Sequence, residues 1–361
     1  MEQHYIGILI SAQLYRKLDH GKQSQILSFY EEAGKINNVI PVYLRLEDLQ
    51  PGELQTSGYV MNSHGKYQKT NIPKPFVIHN RGYQSTKAAK KQIISLQAEG
   101  LIFFNEWNHY GKYKIHKLLI VNEEIRPHLP ETVRFNHGNM VEMMGKHSEL
   151  IIKPSSGTFG KRNMKATRLN ETEWLLSFPL LDLWQEEMFP AEQIPQKIQS
   201  LVTSGKYIIQ ERIQLAEYKH NPFDLRVTVQ RNGDGEWQVT GMVGRVAKTG
   251  SFVTNVARGG TSVVFEDILS SLPHLNERQV VADVERLSLR VAKKLGDQIA
   301  NFADIGLDVG ITMDGFPMFI ECNARDLRLA FRKALMFETW RETYITPISY
   351  GKYLLTMRNG K

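Results

Sequence analysis

Asp308, Glu321 and Asn323 fall within the stretch LDVGITMDGFPMFIECN, Leu307 to Asn323, in which an Asp-Gly pair separates two apolar runs. Asp-Gly between alternating runs signals a β-hairpin, with Asp314 and Gly315 as a two-residue turn. Counting outward from that turn sets Ile311 against Met318, Val309 against Ile320 and Leu307 against Cys322, a wholly apolar face. The opposite face sets Asp308 directly across from Glu321, with Asn323 one step further along. Like charges placed opposite one another destabilise a sheet, so the pair asks for a cation. Two carboxylates and an amide are hard oxygen ligands of the kind Mg²⁺ takes alongside substrate phosphates. The competing reading is an exposed polar face in another register.

Three further stretches carry residue types suited to anions. In KPSSGTFGKRN, Lys153 to Asn163, small residues around Gly157 and Gly160 let backbone N–H groups turn toward an anion, and Lys153 adds a point charge. A plain Gly/Ser hairpin loop reads equally well. It is not a Walker A loop, because the two glycines lie three apart instead of five and no Ser or Thr follows Lys161. In FDLRVTVQ, residues 223–230, Asp224, Arg226 and Thr228 share one strand face, either as a structural ion pair or with the arginine turned to an acyl phosphate or carboxylate. RVAKTGSFVTNVARGG, residues 245–260, combines basic residues with Gly250, Gly259 and Gly260 and reads as a cover over a site or as a surface loop.

The elements that must position these residues follow from periodicity. Strands are expected at 5–10, 39–44, 75–82 and 101–104, with helical spacing through Ile26, Phe29, Tyr30 and Ala33 and again near 85–99. That alternation predicts an α/β unit ending near 105, with the polar, turn-rich tract 48–74 as loop. Beyond it come strands at 149–154 and 207–213, helical spacing at Ile194, Ile198, Leu201 and Val202, and a long helix capped by Asn276 and stopped by Gly296.

Composition excludes several classes. With 361 residues, 42% hydrophobic and 23% charged, the chain is globular and long enough for two or three domains. No apolar run approaches a membrane span, and MEQHYIGILIS lacks a signal-peptide pattern, so a cytoplasmic protein is expected. Cys322, the only cysteine, excludes intramolecular disulfides and cysteine-based zinc sites and reads as core. The net charge of +7 raises nucleic acid as a partner. Its spread along the chain argues against that, since the densest cluster, Lys87, Lys90 and Lys91, has the spacing of a solvated helix face.

Taken together and in order, IIQERI, FDLRVTV, GRVAK, TNVARGG, GLDVG and FIECN resemble the core of RimK-type carboxylate–amine ligases of the ATP-grasp superfamily. VIHNRG at 77–82, GKYKIHKLL at 111–119 and RPHLPET at 126–132 extend the resemblance over nearly the whole chain to the YheC/YheD-type endospore coat-associated family. The resemblance implies an α/β (α+β) ATP-grasp fold with an N-terminal pre-ATP-grasp domain at 1–106, a central subdomain at 107–205 and a C-terminal subdomain at 206–361. It implies Mg-ATP as cofactor. Lys153 and Lys112 would meet ATP phosphates, with Lys114 or Lys117 as alternatives to Lys112, under a loop holding Ser155, Ser156, Gly157 and Gly160. Gln210, Glu211, Arg212 and Ile213 would mark the adenine strand, Asn255 would contact the nucleotide, Arg226 and Arg245 would face the transferred phosphate or acyl intermediate, and Asp308, Glu321 and Asn323 would hold Mg²⁺. The reaction implied is ligation of a small-molecule or peptide carboxylate to an amine or other nucleophile through an acyl phosphate. A non-catalytic spore-coat structural or interaction protein and a kinase-like use of the fold are the alternatives. Coat proteins are expected as partners and the coat or forespore as a second location. Two features depart from the RimK pattern: Gly111 stands where an Asp often precedes the first phosphate lysine, and Ala324-Arg325-Asp326 replaces a Pro-Gly turn.

Overall fold

A computed structural model describes residues 3–84, 86–157, 162–180, 183–202, 206–248 and 259–359. Three sheets follow one another along the chain. The first contains β1 (Tyr5–Leu9), β2 (Ile40–Leu44), β3 (Gln55–Met61), β4 (Tyr67–Pro73), β5 (Val77–Asn80) and β6 (Ile102–Phe104) in the order β4-β3-β2-β1-β5-β6. Strands β2, β1, β5 and β6 are parallel, with helices α1 (Ala12–Asp19), α2 (Gln25–Asn37) and α3 (Lys87–Ala98) in the connections. The tract 48–74 is not loop. It holds the antiparallel β3–β4 hairpin, whose outer strand is exposed at most positions and so carries polar residues where a buried strand would show an apolar run.

The second sheet is antiparallel: β7 (Thr132–Arg134), β8 (Glu149–Pro154), β9 (Met164–Arg168), β10 (Glu173–Leu180), β11 (Leu183–Pro190) and β12 (Tyr207–Glu211), ordered β11-β10-β9-β8-β12-β7. Helix α4 (Lys112–Leu119) precedes it, and α5 (His137–Lys146) and α6 (Ile194–Leu201) bury Met140, Met143, Ile194 and Ile198 against Leu150, Ile152, Leu176 and Ile209.

The third sheet holds β13 (Glu217–Tyr218), β14 (Asn221–Arg231), β15 (Trp237–Val246), β16 (Thr261–Val263), β17 (Asp304–Ile311) and β18 (Pro317–Asn323), with β16-β15-β14-β17-β18 as its path and β13 on β14. It is covered by α7 (Phe265–Ser270) and α8 (Glu277–Gln298), and α9 (Leu329–Lys333) and α10 (Phe337–Asn359) end the chain. Asn276 caps α8 by accepting from the Gln279 amide at 3.1 Å, and Val280, Val284, Leu287 and Val291 form its buried stripe. Gly296 does not stop this helix. It lies inside the last turn, where a Cβ would come within 3.1 Å of the Trp237 ring, so the residue serves packing. Helix α10 crosses back to the first sheet, burying Trp340, Tyr344 and Ile348 with Ile6, Ile8 and Tyr30, and thereby ties the chain's two ends together.

The hairpin β17–β18 keeps the expected register only at its far end. Gly306, Leu307 and Asp308 pair with Asn323, Cys322 and Glu321, but Val309, Gly310 and Ile311 pair with Phe319, Met318 and Pro317. The turn contains one more residue than expected: the Gly315 amide donates to the Thr312 carbonyl and the Thr312 amide to the Phe316 carbonyl, enclosing Met313, Asp314 and Gly315. Gly315 alone of these three has a positive φ, +85°, as in a three-residue turn closed by a left-handed glycine. A bulge beside Asp308 absorbs the extra residue and restores the pairing of the carboxylates. Ile320 therefore has no partner opposite Val309, and Cys322 is half-buried against the core below the third sheet, with burial pushing its thiol pKa up.

Candidate functional site

Lys112, Lys153, Arg226, Arg245, Asp308, Glu321 and Asn323 come together where the second and third sheets meet. Strand β14 alternates Phe223, Leu225, Val227 and Val229 into the core, which leaves Asp224, Arg226 and Thr228 on the other face, as the sequence pattern required. Pairing with β17 sets Arg226 opposite Asp308, and pairing with β15 sets Asp224 opposite Arg245. The side chains form a buried ion-pair lattice. Arg226 Nε donates to Asp308 Oδ1 at 2.8 Å and its Nη1 to Asp326 Oδ1 at 2.7 Å. Arg245 grips Asp224 through two bonds of 2.7 Å and reaches Asp308 Oδ2 at 2.9 Å. Burial pushes the Asp308 carboxyl pKa up, against the pull of Arg226 and Arg245.

Glu321, across from Asp308, is held from the other side. Lys112 Nζ lies 3.2 Å from Glu321 Oε2, and Asn323 Nδ2 lies 3.4 Å from Glu321 Oε1. Burial alone would raise the Glu321 pKa, but Lys112 and Lys153 outweigh it and bring the carboxyl to about 2. The carboxylate pair is thus tolerated by an enclosing ring of cations, which the hairpin viewed alone did not reveal. The oxygens still suit a small hard cation. A carboxylate offers about four lone-pair sites, and among the described residues these groups each meet two close donors. Among the described residues no group of three His, Cys, Asp or Glu is arranged as a metal cage. Mg²⁺ does not need one when phosphates and an amide complete its shell.

Lys153 stands at the end of β8 and is buried. Its Nζ donates to Gln210 Oε1 at 2.7 Å, and Gln210 Nε2 donates to Thr132 Oγ1 at 2.8 Å. Burial is the main force pressing its ammonium pKa down to about 8. Lys112 opens α4. Its amide donates to the Ser155 carbonyl at 2.7 Å and its Nζ to the Gly157 carbonyl at 3.1 Å, so the start of the glycine loop is tied to the helix. Gly157 has φ +135°, a conformation suited to glycine. A narrow slot between the sheets is lined by Lys112, His116, Thr132, Lys153, Gln210 and Glu321.

Several expectations separate here. Lys114 and Lys117 project from α4 into a different cleft, with Arg134 and Lys206, which singles out Lys112 as the helix lysine in the slot. Gln210 faces the slot, but Glu211 turns outward, accepting from the Glu131 amide at 3.1 Å, and Arg212 pairs with Glu149 at 2.6 Å. Ile213 follows the end of β12, and Ser155 and Ser156 flank the start of the loop beside Gly111. Gly160 and Asn255 lie outside the described residues.

Asp326 escaped the sequence reading. It is fully buried, accepts from Arg226 and, at 2.5 Å, from Thr228, and is admitted by Gly306, where a Cβ would meet Asp326 Cγ at 2.7 Å. The departure Ala324-Arg325-Asp326 carried the signal, since it sets an acid three residues past β18, in the sheet whose β14 carries Arg226.

Residues 100–354 match the family model described as YheC/D like ATP-grasp. The chain is similar to the endospore coat-associated protein YheD of Bacillus subtilis (strain 168), 24% identical over 350 residues, covering 92% of this chain and 73% of that protein. It is also similar to the endospore coat-associated protein YheC of the same organism, 20% identical over 324 residues, covering 87% of this chain and 88% of that one. D-alanyl-alanine synthetase A from Vibrio cholerae O1 biovar eltor str. N16961 shares the fold, with a TM-score of 0.55 at 12% identity over 98% of this chain and 99% of that chain. No helix among the described residues is long and apolar enough to cross a membrane. The match over residues 100–354 spans well over half of the sequence, and the chain belongs to the YheC/D-like ATP-grasp family.

Proposed function

We propose that this protein binds Mg-ATP between its second and third sheets and uses it to ligate a carboxylate to an amine or similar nucleophile. The observation that carries this reading is the convergence of Lys112, Lys153, Arg226 and Arg245 on Asp308 and Glu321 at the junction of the sheets. Phosphoryl transfer asks a protein mainly for positioning and charge neutralisation, and this set supplies both. Lys153 and Lys112 hold the phosphate chain, Gln210 orients Lys153, and the loop from Ser155 covers the phosphates. The backbone after Glu211, at Arg212 and Ile213, borders the base. Asp308, Glu321 and Asn323 would hold Mg²⁺, which supplies additional neutralisation of phosphate charge.

A carboxylate oxygen of the substrate attacks the γ-phosphorus, a new P–O bond forms, and the bond to the β-phosphate oxygen breaks to release ADP. Arg226 and Arg245 face the transferred group and stabilise its charge. The nucleophile then adds to the acyl carbon of the acyl phosphate, the C–O bond to phosphate breaks, and phosphate leaves with the electron pair. The nucleophile's proton passes to solvent. Release of ADP with trapping by hydroxylamine tests the order of events, because an acyl phosphate yields a hydroxamate and a phosphate ester formed by kinase chemistry does not. ADP release without hydroxamate across carboxylate pools would refute the acyl step.

One observation favours a second reading. Both oxygens of Asp308 are engaged by guanidinium groups, so the site holds together as a structural ion-pair lattice without a ligand. A coat-associated scaffold that keeps the fold without turnover fits that lattice and the names of the relatives. Mg-nucleotide binding with no ADP release from any carboxylate pool would favour it.

A further inference from the structure

Two residues beyond Asn323, the chain places an arginine whose charge no described residue answers. Arg325 is half-buried, and its Nε donates to the Arg81 carbonyl at 2.9 Å. Its terminal nitrogens make no hydrogen bond or ion pair among the described residues. The guanidinium of Arg81 is already committed to Asp304 at 3.3 Å and to the Asp326 carbonyl. Arg325 is thus a half-buried cation whose one hydrogen bond among the described residues is to the backbone of another cation. Such a group costs stability unless something anionic completes it.

The position is also one where ligands collect. In the first sheet β1 lies between β2 and β5, and the chain leaves β1 toward β2 but returns to its other side at β5. Open α/β sheets bind ligands outside the carboxyl ends of their strands at such a reversal. Arg81, Gly82 and Tyr83 follow directly from β5, the Arg81 amide is tied to the Leu9 carbonyl at 3.0 Å, and Asn108 Nδ2 donates to the Gly82 carbonyl at 2.5 Å. Tyr83 is 55% exposed and meets His109 edge-on at 6.1 Å. Arg325 therefore stands between the reversal of the first sheet and the strand that ends in Asn323.

We propose that Arg325 binds a second carboxylate of the substrate, distinct from the one that is phosphorylated, so that this chain acts on a dicarboxylate or an acidic amino acid or peptide. The planar fork of a guanidinium matches a carboxylate in a bidentate pair, and a single half-buried arginine balances one negative charge. The proposal rests on the Mg-ATP reading above and names the substrate class for that site.

The test uses the full chain saturated with Mg-ADP. Succinate, glutarate, N-acetylglutamate and tricarballylate are compared with their monoamides or monocarboxylate counterparts, and with inorganic phosphate, at constant ionic strength. Thermal midpoint and titration calorimetry are the readouts. At least one acid should raise the midpoint above the Mg-ADP value and bind about tenfold to a hundredfold tighter than its monoamide, as one charge-assisted contact provides. Arg325→Gln should remove that discrimination and retain the Mg-ADP shift, and Arg325→Lys should restore part of it. The midpoint of ligand-free Arg325→Gln should equal or exceed that of the parent, whereas loss of a merely structural arginine lowers it. Acids that bind no better than their monoamides, discrimination that survives Arg325→Gln, or phosphate as the sole anion held through Arg325 would each overturn the proposal. Absence of the Mg-ADP shift would instead sink the nucleotide reading.

Discussion

Lys153 gives the sharpest handle on the proposed nucleotide slot. Its ammonium is buried beside Gln210 with a pKa pressed down to about 8, so in the free protein it loses its proton within an accessible pH range. Phosphate oxygens bind the charged form, and a bound nucleotide should draw the pKa back toward the ordinary value near ~10.4. At about pH 9, one unit above the free-state pKa, only about one molecule in ten carries the proton, so the affinity for Mg-ADP should be about tenfold weaker than at pH 7, or ~1.4 kcal/mol. Calorimetric titration between about pH 7 and pH 9.5 reads this directly, because Mg-ADP keeps its own charge over that range. The sign for stability is opposite. A lysine whose folded pKa lies below its unfolded value binds fewer protons in the folded state, so its contribution to stability rises as pH climbs from about 8 through the unfolded value. Lys153→Met, which cannot titrate, should bind weakly at every pH with a flat profile. A parent protein with pH-independent affinity, or a Lys153→Met protein that keeps the slope, would refute the assignment.

Other perturbations address the supporting lattice. Asp326→Asn leaves Arg226 short of a buried carboxylate and should lower unfolding free energy in urea by about 3 kcal/mol with an unchanged m-value. Gly306→Ala should act on the same place from the opposite strand, because its Cβ would lie 2.7 Å from Asp326 Cγ, and should lower the thermal midpoint and weaken Mg-ADP together. His79 is fully buried at 3.0 Å from Asp304, and burial lowers its pKa to about 4. A folded pKa below the unfolded value of ~6.5 makes stability fall as pH drops from there toward about 4, by up to about 3 kcal/mol, and His79→Gln should flatten that limb in urea titrations.

The parts of the fold that alternate cleanly were legible. The stripe Val280, Val284, Leu287 and Val291 announced α8, and the apolar alternation of Phe223 to Val229 fixed which face of β14 carries Arg226. The β3–β4 hairpin was illegible because an exposed edge strand does not need an apolar face, and the tract 48–74 read as polar, turn-rich loop. Asp308 opposite Glu321 was anticipated through an inexact route, since a longer turn and a bulge compensate each other. Period-two counting is blind to both when they cancel. The partnership of Asp224 with Arg245 links residues 21 apart across β14 and β15, and Asp326 meets Arg226 across 100 residues. Local pattern holds no record of such contacts. The separate direction of Lys114 and Lys117 was equally hidden, because a helix must be docked before its faces acquire neighbours.

The central claim is that Mg-nucleotide sits against Glu321 in the slot between the second and third sheets. Thermal denaturation of the parent chain and of Glu321→Gln, each with and without Mg-ADP, tests it most directly. At about a hundred times the dissociation constant, Mg-ADP should stabilise the parent by about 2.7 kcal/mol and raise its midpoint by several degrees. Glu321→Gln should lose most of that rise while its ligand-free form still unfolds cooperatively. A parent midpoint that does not move with Mg-ADP, or a Glu321→Gln protein that responds as fully as the parent, would contradict the account.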